Sequence, residues 1–523
     1  MIMTTLMKIS MHKKTRSYLL YVFLFIGCAL RFAEYAAQPS LSFDEAVVAH
    51  KITRHSLTTL TFDASDFKNM LAYPIGFLAL EKLALDWLGN NELGLRFFPF
   101  LFSVFSLFLF PHLAKKILAP PWDMGATLLF TISPVMVATS SVLKPLSADV
   151  FFGLLCFLIL FEMTRRQMDF PSAAVITLIG LTAVATSFTA IFILFAGLPI
   201  VLILRFKRSP KKDVKFALYI AGIWLLAVLF YYVISLRYFR SDVALKDYWQ
   251  AYFLPMEEGF LFSLKWLLGI FHFFFRKFLL IFPGLTAFLI ILGTYRLLKQ
   301  EWSKAAILGA PLIFLLILSA LKIYPFGDRT VFIFVPVFLL LLTSGLVFFG
   351  RLKNTLLKIC VPLIFMGLIL SHYLPVAFQQ LVTLSGGEEI KPVLQALSRR
   401  RQPGEPIAVF YGSRPAYQYY APRFGLPKAD FYLHPQGLKN FWQDLEQRLA
   451  TTGEQRVWLV FTHVKQVIFA DGRKMSERRY ILEKLDLLGQ RQRQVMVELD
   501  PRFNPWPPED NVSAAAYLYK FLP

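Results

Sequence analysis

The chain has 523 residues, of which 56% are hydrophobic and 54 are Phe, and its mean hydropathy is +0.54. These values exclude a single soluble domain, because such a domain carries a larger share of polar residues. The formal charge of +21 does not indicate nucleic-acid binding. Most of the Lys and Arg residues flank apolar segments, and no nucleic-acid-binding motif is present.

Apolar segments of helical length recur along the first 376 residues. A helical membrane crossing needs about 20 apolar residues. Segments of that length lie near 17–36, 94–114, 123–142, 145–163, 172–187, 189–205, 214–236, 279–296, 304–322, 330–349 and 355–375. The first of them is too long for a signal peptide and is followed by further spans. The sequence therefore predicts an α-helical polytopic membrane protein with about 11 transmembrane helices.

The basic residues predict the orientation of these crossings, because short cytoplasmic loops retain Lys and Arg. Basic residues precede the first span and then recur in every second loop, at Lys115/Lys116, Arg165/Arg166, Arg205 through Lys215, Arg296/Lys299 and Arg351/Lys353. The amino end is predicted to be cytoplasmic. With an odd number of crossings, the segments 37–93 and 237–278, the turn "KIYPFGDR" and everything after Val376 lie outside.

A soluble domain is predicted at the carboxyl end, because charged residues, Pro and Gly replace the apolar blocks from about Gly386. Helix-like stretches ("EEIKPVLQALSRR", "GLKNFWQDLEQRLA", "MSERRYILEKLDLL") alternate there with strand-like runs ("PIAVFYG", "RVWLVFTHV", "RQVMVEL"). This alternation predicts a small α/β domain. We therefore divide the chain into a membrane domain, 1–376, and an extracytoplasmic domain, 377–523, which is interpreted as a lid or a platform for the acceptor.

The first outer loop, 37–93, is the longest and carries two adjacent acids, Asp44 and Glu45, shortly after the first span. The loop is predicted to contain two helices that lie along the membrane surface. Successive residues of a helix point about 100° apart, so the two acids are not expected to serve the same substrate atom. We expect one to face a reaction site and the other a structural partner, for which Arg96 is the candidate.

The order of several short motifs resembles the GT-C glycosyltransferases. These motifs are the "DE" after the first span, "YP" with a surface helix, "NELGLRFFPFLFS", "SPVMVATSSVLKPLSAD" and "YPFGDR". The resemblance covers most of 17–350 and is strongest to the branch that contains the protein O-mannosyltransferases and the aminoarabinose transferases (ArnT-like). The stretch "QPGEPIAVFYGSRPAYQYY" is similar to the outer domain of bacterial members.

Two departures from this family concern the sugar-binding details. Many relatives carry an acid two residues before the Lys of the "KP" motif, where this chain has Val142 before Lys144. The "KPP" surface motif is matched only by Tyr73-Pro74, and the nearest upstream lysine is Lys68. Neither departure affects Asp44.

The resemblance implies transfer of a sugar from a polyprenyl-phosphate carrier to an acceptor hydroxyl. Such a step needs a carboxylate to accept the hydroxyl proton and cations to stabilise the departing phosphate. Asp44 is assigned the first role by the resemblance, with Glu45 beside it. Lys144 and Arg329, at predicted outer ends of spans, are assigned to the phosphate. The secondary candidates are Lys68, Arg96, Asp149, Tyr324 and Asp328, of which Asp149 or Asp328 would hold the cations in position.

Each assignment has a structural alternative. Asp44 can be a solvated acid at the end of a span, Lys144 can extend its ammonium group to the membrane surface, and Arg329 can bind backbone carbonyls of its own turn. A divalent metal shared by Asp44 and Glu45 is the competing hypothesis for the acidic pair. No cluster of His, Asp and Glu has the spacing of metal ligands, so the enzyme is predicted to need no metal and no other cofactor.

The sequence thus predicts an inverting glycosyltransferase at the outer face of a bacterial inner membrane. Its partners would be a polyprenyl-phosphate-linked sugar donor, a lipid, glycan or protein acceptor, and membrane lipids, with no nucleic acid. One alternative is a lipid-glycan flippase or transporter, which would move lipid without releasing free carrier phosphate. Another is a polymerase or ligase that uses a pyrophosphate-linked oligosaccharide.

Overall fold

The computed structural model describes residues 13–62, 73–165, 167–208, 211–236, 249–279, 282–382, 387–433, 456–468, 474–498 and 510–521. The chain forms two compact units. The first contains residues 1–36 and 55–383, and the second contains residues 37–54 and 384–523. The sequence-based division assigns 37–54 to the membrane domain, whereas in the structure this segment packs with the carboxyl-terminal residues.

The first unit is helical throughout its described residues. With the segment 43–54 of the second unit numbered in chain order, the helices are α1 (Lys13–Ala37), α2 (Phe43–Arg54), α3 (Leu57–Phe62), α4 (Ile75–Leu88), α5 (Glu92–Leu95), α6 (Phe97–Ile117), α7 (Trp122–Thr131), α8 (Pro134–Ala138), α9 (Leu146–Arg165), α10 (Phe170–Thr186), α11 (Phe188–Arg208), α12 (Lys211–Tyr231), α13 (Phe260–Phe274), α14 (Pro283–Ala320), α15 (Val335–Phe348) and α16 (Thr355–Val382). Every predicted crossing coincides with one or more of these helices.

Eight of the helices described are long and apolar enough to cross a membrane, namely α1, α6, α9, α11, α12, α14, α15 and α16, the α15 segment being extended to Arg329–Arg351. The 17-residue α10 is a shorter apolar helix. Helix α14 has 38 residues and contains two of the predicted crossings, which are joined at Glu301, where the backbone leaves the helical conformation. The chain is therefore an integral membrane protein with multiple apolar helices.

The predicted crossing at 123–142 is wrong as a continuous helix. Helix α7 ends at Thr131, and α8 begins three residues later at Pro134. Proline has no backbone N–H and disfavours the helical conformation in the residue before it, so Ser133 adopts φ −57° and ψ 116°. The chain then turns through residues 139–145 into α9. Lys144 lies in this turn, just before α9, as its predicted position between two spans implies.

The second unit is built on a mixed five-stranded sheet. Its strands are β1 (Ile407–Phe410), β2 (Phe431–Leu433), β3 (Arg456–Thr462), β6 (Gly489–Glu498) and β7 (Val512–Phe521), in the order β2-β1-β3-β7-β6. β1 is parallel to both β2 and β3, whereas β7 is antiparallel to β3 and β6. A two-stranded sheet pairs β4 (Gln466–Ile468) with β5 (Lys474–Ser476).

Three further helices complete the described part of the second unit: α17 (Ile390–Arg400), α18 (Arg414–Tyr420) and α19 (Glu477–Leu485). The predicted strands at 406–412, 456–464 and 493–499 and the predicted helices at 388–400 and 475–488 correspond to β1, β3, β6, α17 and α19. The predicted helix "GLKNFWQDLEQRLA" lies outside the described residues. One layer of core, between the sheet and α19, is formed by residues such as Phe461, Leu485 and Tyr517, all fully or almost fully buried.

Candidate active site

The turn that carries Asp44 begins α2 with the glutamate half of a capping box. Ser42 precedes the helix and accepts its first backbone bond, from Ala46 N at 2.8 Å. The carboxylate Oε2 of Glu45 accepts from Ser42 N at 3.0 Å and from Ser42 Oγ at 2.9 Å. A Ser and a Glu at this spacing satisfy amide groups that the helix itself leaves unpaired. Glu45 is only 3% exposed, so one of its oxygens is committed to the helix start.

Four consecutive backbone amides, from Ser40 to Phe43, are each bound by a side chain of the second unit. The bonds run from Ser40 N to Glu389 Oε2 (3.2 Å), from Leu41 N to Tyr420 Oη (3.0 Å), from Ser42 N to Glu45 Oε2 (3.0 Å) and from Phe43 N to Glu388 Oε2 (2.7 Å). We call the side chains of Glu45, Glu388, Glu389 and Tyr420 the amide clamp. Because bonds from amides to carboxylates are stronger than neutral ones, the clamp fixes the backbone immediately before Asp44.

His463 supports the same turn. Its Nδ1 lies 2.7 Å from Glu388 Oε1, and its ring stacks on Phe43 with centroids 4.5 Å apart and planes 17° apart. Glu388 therefore bridges the Phe43 amide with one oxygen and the imidazole with the other. His463 follows β3 and has a φ of +51°, a conformation that few non-glycine residues adopt.

Asp44 itself is half-buried in the first turn of α2, between Phe43 and Glu45. The positive end of the helix dipole favours a negative charge at this position. The two neighbouring side chains are occupied by the stacking and the capping described above. Of the two adjacent acids, Glu45 caps the helix, whereas capping does not account for Asp44.

On the first unit, Lys144 is half-buried in the turn between α8 and α9. Two local bonds shape the turn: Lys144 N donates to Val142 O at 2.6 Å, and Ser147 Oγ donates to Thr139 O at 2.9 Å. The backbone around Lys144 is therefore set by residues no more than eight positions apart.

Asp149 and Tyr324, two of the secondary candidates, lie near each other although they are far apart in sequence. Asp149 is 6% exposed in the first turn of α9 and accepts a 2.5 Å bond from Ser187 Oγ. The ring of Tyr324 packs edge-to-face on Phe192, with centroids 4.7 Å apart. Burial, with a further contribution from the Asp149 carboxyl, raises the pKa of the Tyr324 phenol, so this hydroxyl retains its proton.

Arg329 is half-buried in the 3₁₀ turn Asp328–Phe334 that leads into α15. The carbonyl of Gly327 already accepts from Thr330 Oγ1 at 2.8 Å and Thr330 N at 3.1 Å, and Gly327 N donates to Thr330 Oγ1 at 3.0 Å. Thr330 thus closes the turn, so the turn does not need Arg329 to hold Gly327. The side chain of Asp328, like the whole of Lys68, lies outside the described residues.

Arg96 is 2% exposed where α5 ends and α6 begins. Its guanidinium interacts electrostatically with Glu34, which supports a structural role. The pairing of Arg96 with Glu45 stays a prediction. Among the residues that the structure describes, no group of three or more His, Cys, Asp or Glu is placed to hold a metal ion.

Glu81, in α4, is a buried carboxyl that sequence reasoning did not single out. It is fully buried, and neither carboxyl oxygen has a hydrogen-bond partner within the described ranges. Burial raises the pKa of Glu81 well above its usual range. The protonated form is therefore favoured, and Glu81 is not suited to accept a proton.

Sequence reasoning missed Glu388, Glu389, Tyr420 and His463. A local signal existed for one part of the arrangement, because Ser42 and Glu45 have the spacing of a capping box. Glu388 and His463 contact the Asp44 turn across about 350 and 420 positions, so no periodicity or spacing in the sequence reports on them.

No protein-family model matches the sequence, and no curated protein is similar to it. Solved structures are similar in fold. ArnT from Cupriavidus metallidurans bound to undecaprenyl phosphate matches with a TM-score of 0.53 and 10% identity, over 95% of this chain and 97% of that one. The apo oligosaccharyltransferase of Archaeoglobus fulgidus matches with a TM-score of 0.51 and 13% identity, over 87% of this chain and 70% of that one. This similarity confirms the predicted GT-C-like fold with a carboxyl-terminal mixed α/β domain.

Proposed function

We propose that the protein is a membrane glycosyltransferase that moves a sugar from a polyprenyl-phosphate-linked donor to an acceptor hydroxyl at the outer face of a bacterial inner membrane. The observation that carries the proposal is the Asp44 turn, in which four successive amides are bound by side chains while Asp44 stays at the start of the helix. A solvated acid at the end of a span needs no such support. The fold shared with an ArnT that binds undecaprenyl phosphate supports the class of donor.

In the proposed reaction, Asp44 takes the proton of the acceptor hydroxyl as its oxygen attacks the anomeric carbon. The bond between that carbon and the phosphate oxygen breaks, and the electron pair leaves with the polyprenyl phosphate. Lys144 and Arg329 stabilise the phosphate charge, and Arg329 is suited to bind two phosphate oxygens at once. Asp149, with Tyr324 nearby, positions the cations. A single displacement of this kind inverts the anomeric configuration.

The test is a comparison of envelope glycans and glycolipids by mass spectrometry in a deletion strain that carries the wild-type gene, Asp44→Asn or an empty vector. We expect one glycoform to be lost with the empty vector and with Asp44→Asn, and to be restored by the wild type. The same membranes should accumulate the sugar-charged carrier and release less free polyprenyl phosphate.

A lipid transporter predicts a different outcome. Asp44→Asn would then leave carrier release unchanged, and the charged carrier would accumulate on one side of the membrane only. Full restoration of the glycoform by Asp44→Asn would contradict the proposal.

A further inference from the structure

A cavity of about 550 Å³ opens between helices of the first unit, and none of the residues that line it is assigned to the reaction. It lies where α6 and α9 approach their carboxyl ends, beside the second half of α14. Its lining consists of Leu109, His112, Lys115, Lys116, Leu158, Glu162, Arg165 and Lys304. We call it the basic cavity.

The basic cavity is at the opposite end of α9 from Asp149. Sixteen residues separate Asp149 from Arg165, which corresponds to about 24 Å of helix. Lys115, Lys116 and Arg165 belong to loops that the sequence predicts to be cytoplasmic, and Lys304 is the first residue of the predicted crossing 304–322, at its cytoplasmic end. The cavity is therefore distinct from the proposed reaction site, and its function does not depend on that proposal.

The charges around the cavity are not balanced by the protein. Lys116 pairs with Glu162 at 2.5 Å, and Lys304 pairs with Glu301 at 2.5 Å. Lys115 and Arg165 have no carboxylate partner in the part of the chain that the structure describes. The lining thus carries a positive excess around one concave space.

Two of the ammonium groups are held away from bulk water. The side chain of Lys116 is 17% exposed and that of Lys304 is 12% exposed. Both are paired with a carboxylate, but the exposed Lys115 and Arg165 face the same space, so the cations repel one another, and a bound anion would offset this repulsion. Basic residues that only determine orientation need no cavity, whereas here they converge from three helices on one.

The apolar part of the lining identifies the kind of anion. Leu109 and Leu158 face the cavity together with the cations, on helices that cross the membrane. A phosphate headgroup would contact the basic residues while its acyl chains follow the apolar helix surfaces. Basic pockets between membrane helices on the cytoplasmic side bind lipid headgroups in this way.

We propose that the basic cavity binds the phosphate headgroup of an anionic phospholipid. Lys115 and Arg165 supply the charges that the protein leaves unbalanced, and Lys116 and Lys304 extend the positive surface into the cavity. The bound lipid would join the ends of α6 and α9 to the second half of α14. Anionic lipid should therefore stabilise the whole protein against thermal unfolding.

The experiment measures lipid retention by native mass spectrometry on the full chain, with phosphatidylglycerol or phosphatidylcholine added as the probe. We expect selective retention of phosphatidylglycerol by the wild type. The double variant Lys115→Gln/Arg165→Gln should weaken it by about 30-fold, since each basic residue near an anionic lipid surface adds roughly fivefold to binding. Lys353→Gln/Lys358→Gln removes the same charge on the same predicted side, outside the cavity, and should retain the lipid.

Two further measurements test for misfolding of the double variant and for binding of a soluble phosphate. Lys115→Arg/Arg165→Lys keeps both charges and should bind as the wild type does, which distinguishes lost charge from misfolding. Inorganic phosphate and glycerol phosphate, added in place of lipid, should not raise the unfolding temperature. Equal retention of both lipids, equal loss in the control variant, or full stabilisation by a soluble phosphate would each overturn the proposal.

Discussion

Two turns that each begin a helix carry the proposed chemistry, and they are supported in different ways. The Asp44 turn, 40–45, is bound by side chains that lie up to about 420 positions away, through the amide clamp and His463. The Arg329 turn, 324–330, is closed internally by Thr330, three residues from Gly327, and a backbone bond from Phe326 N to Tyr252 O (2.8 Å) joins it to the rest of the first unit. The comparison teaches that the proposed base depends on side chains of the second unit, whereas the proposed phosphate-binding cation depends on the backbone of its own turn and on the first unit.

The largest expected effect is that of Asp44→Asn. The amide keeps the size of the side chain but cannot accept a proton, so single-turnover sugar transfer should fall by roughly 10²–10⁴-fold. Binding of undecaprenyl phosphate should remain near the wild-type value. Asp86→Asn serves as the control, because Asp86 is an exposed acid paired with Lys82. Near-normal transfer by Asp44→Asn would contradict the assignment of Asp44 as the base and would leave the turn with a structural role only.

Arg329→Ala should follow, with a loss of turnover on the order of 10²-fold or more. Arg329→Lys should lose less, because it keeps the charge but not the planar fork that binds two phosphate oxygens. The exposed Lys322 in the same region provides the control variant Lys322→Ala, which should keep turnover. Steady-state turnover and carrier affinity are measured for all three. Unchanged activity of the double variant Lys144→Ala/Arg329→Ala would reject this phosphate site.

Glu388→Ala tests the long-range support of the Asp44 turn. It removes the acceptor for Phe43 N and the partner of His463, so Asp44 loses its fixed position and turnover should fall by roughly 10–10²-fold. Carrier affinity should not change, because no residue proposed to bind phosphate is altered. Glu388→Gln, which keeps one acceptor oxygen, should recover most of the loss. The control Glu483→Ala removes the same charge from an exposed pair with Arg479. If Glu483→Ala lowers turnover as much as Glu388→Ala does, the loss reflects a general effect on the second unit and not the position of Asp44.

The difference in support also explains how far the sequence could lead. Local signals were sufficient for the long membrane helices, because apolar length is a property of a single segment, although the break before Pro134 was missed. They were insufficient where distant segments meet. Segment 37–54 packs with the carboxyl-terminal unit, which no feature of the first outer loop indicates.

The same limit applies to individual elements. β7 was not predicted, because its run "VSAAAYLYKF" is buried almost throughout and has no alternating pattern. Helix α13 lies in the segment 237–278, for which the sequence predicted an outer position but no helix. The proximity of Asp149 and Tyr324 arises only from the packing of helices.

Gly327→Ala tests the backbone conformation of the Arg329 turn and its packing against Tyr252. Gly327 has a φ of +150°, and a Cβ there would lie 2.6 Å from Tyr252 Cδ1. Strain at such a position costs about 1–3 kcal/mol, so the unfolding temperature of the purified protein should fall and turnover with it. Gly309→Ala is the matched control, because a Cβ at this helical position meets nothing within 4 Å and alanine favours the helix. Equal unfolding temperatures for the two variants would show that the turn is not strained by a side chain.

The smallest expected effect distinguishes the roles of Asp44 and Glu45, the two acids in the first turn of α2. Glu45→Ala removes the capping box and should lower the free energy of unfolding by about 0.5–2 kcal/mol. Glu45→Gln should lose less, because an amide oxygen can still accept from Ser42 N and Oγ. Its single-turnover transfer should stay within a few-fold of wild type, in contrast to Asp44→Asn. If Glu45→Gln instead loses transfer as steeply as Asp44→Asn while its unfolding temperature is unchanged, Glu45 takes part in the chemistry, and the division between a capping acid and a reacting acid must be abandoned.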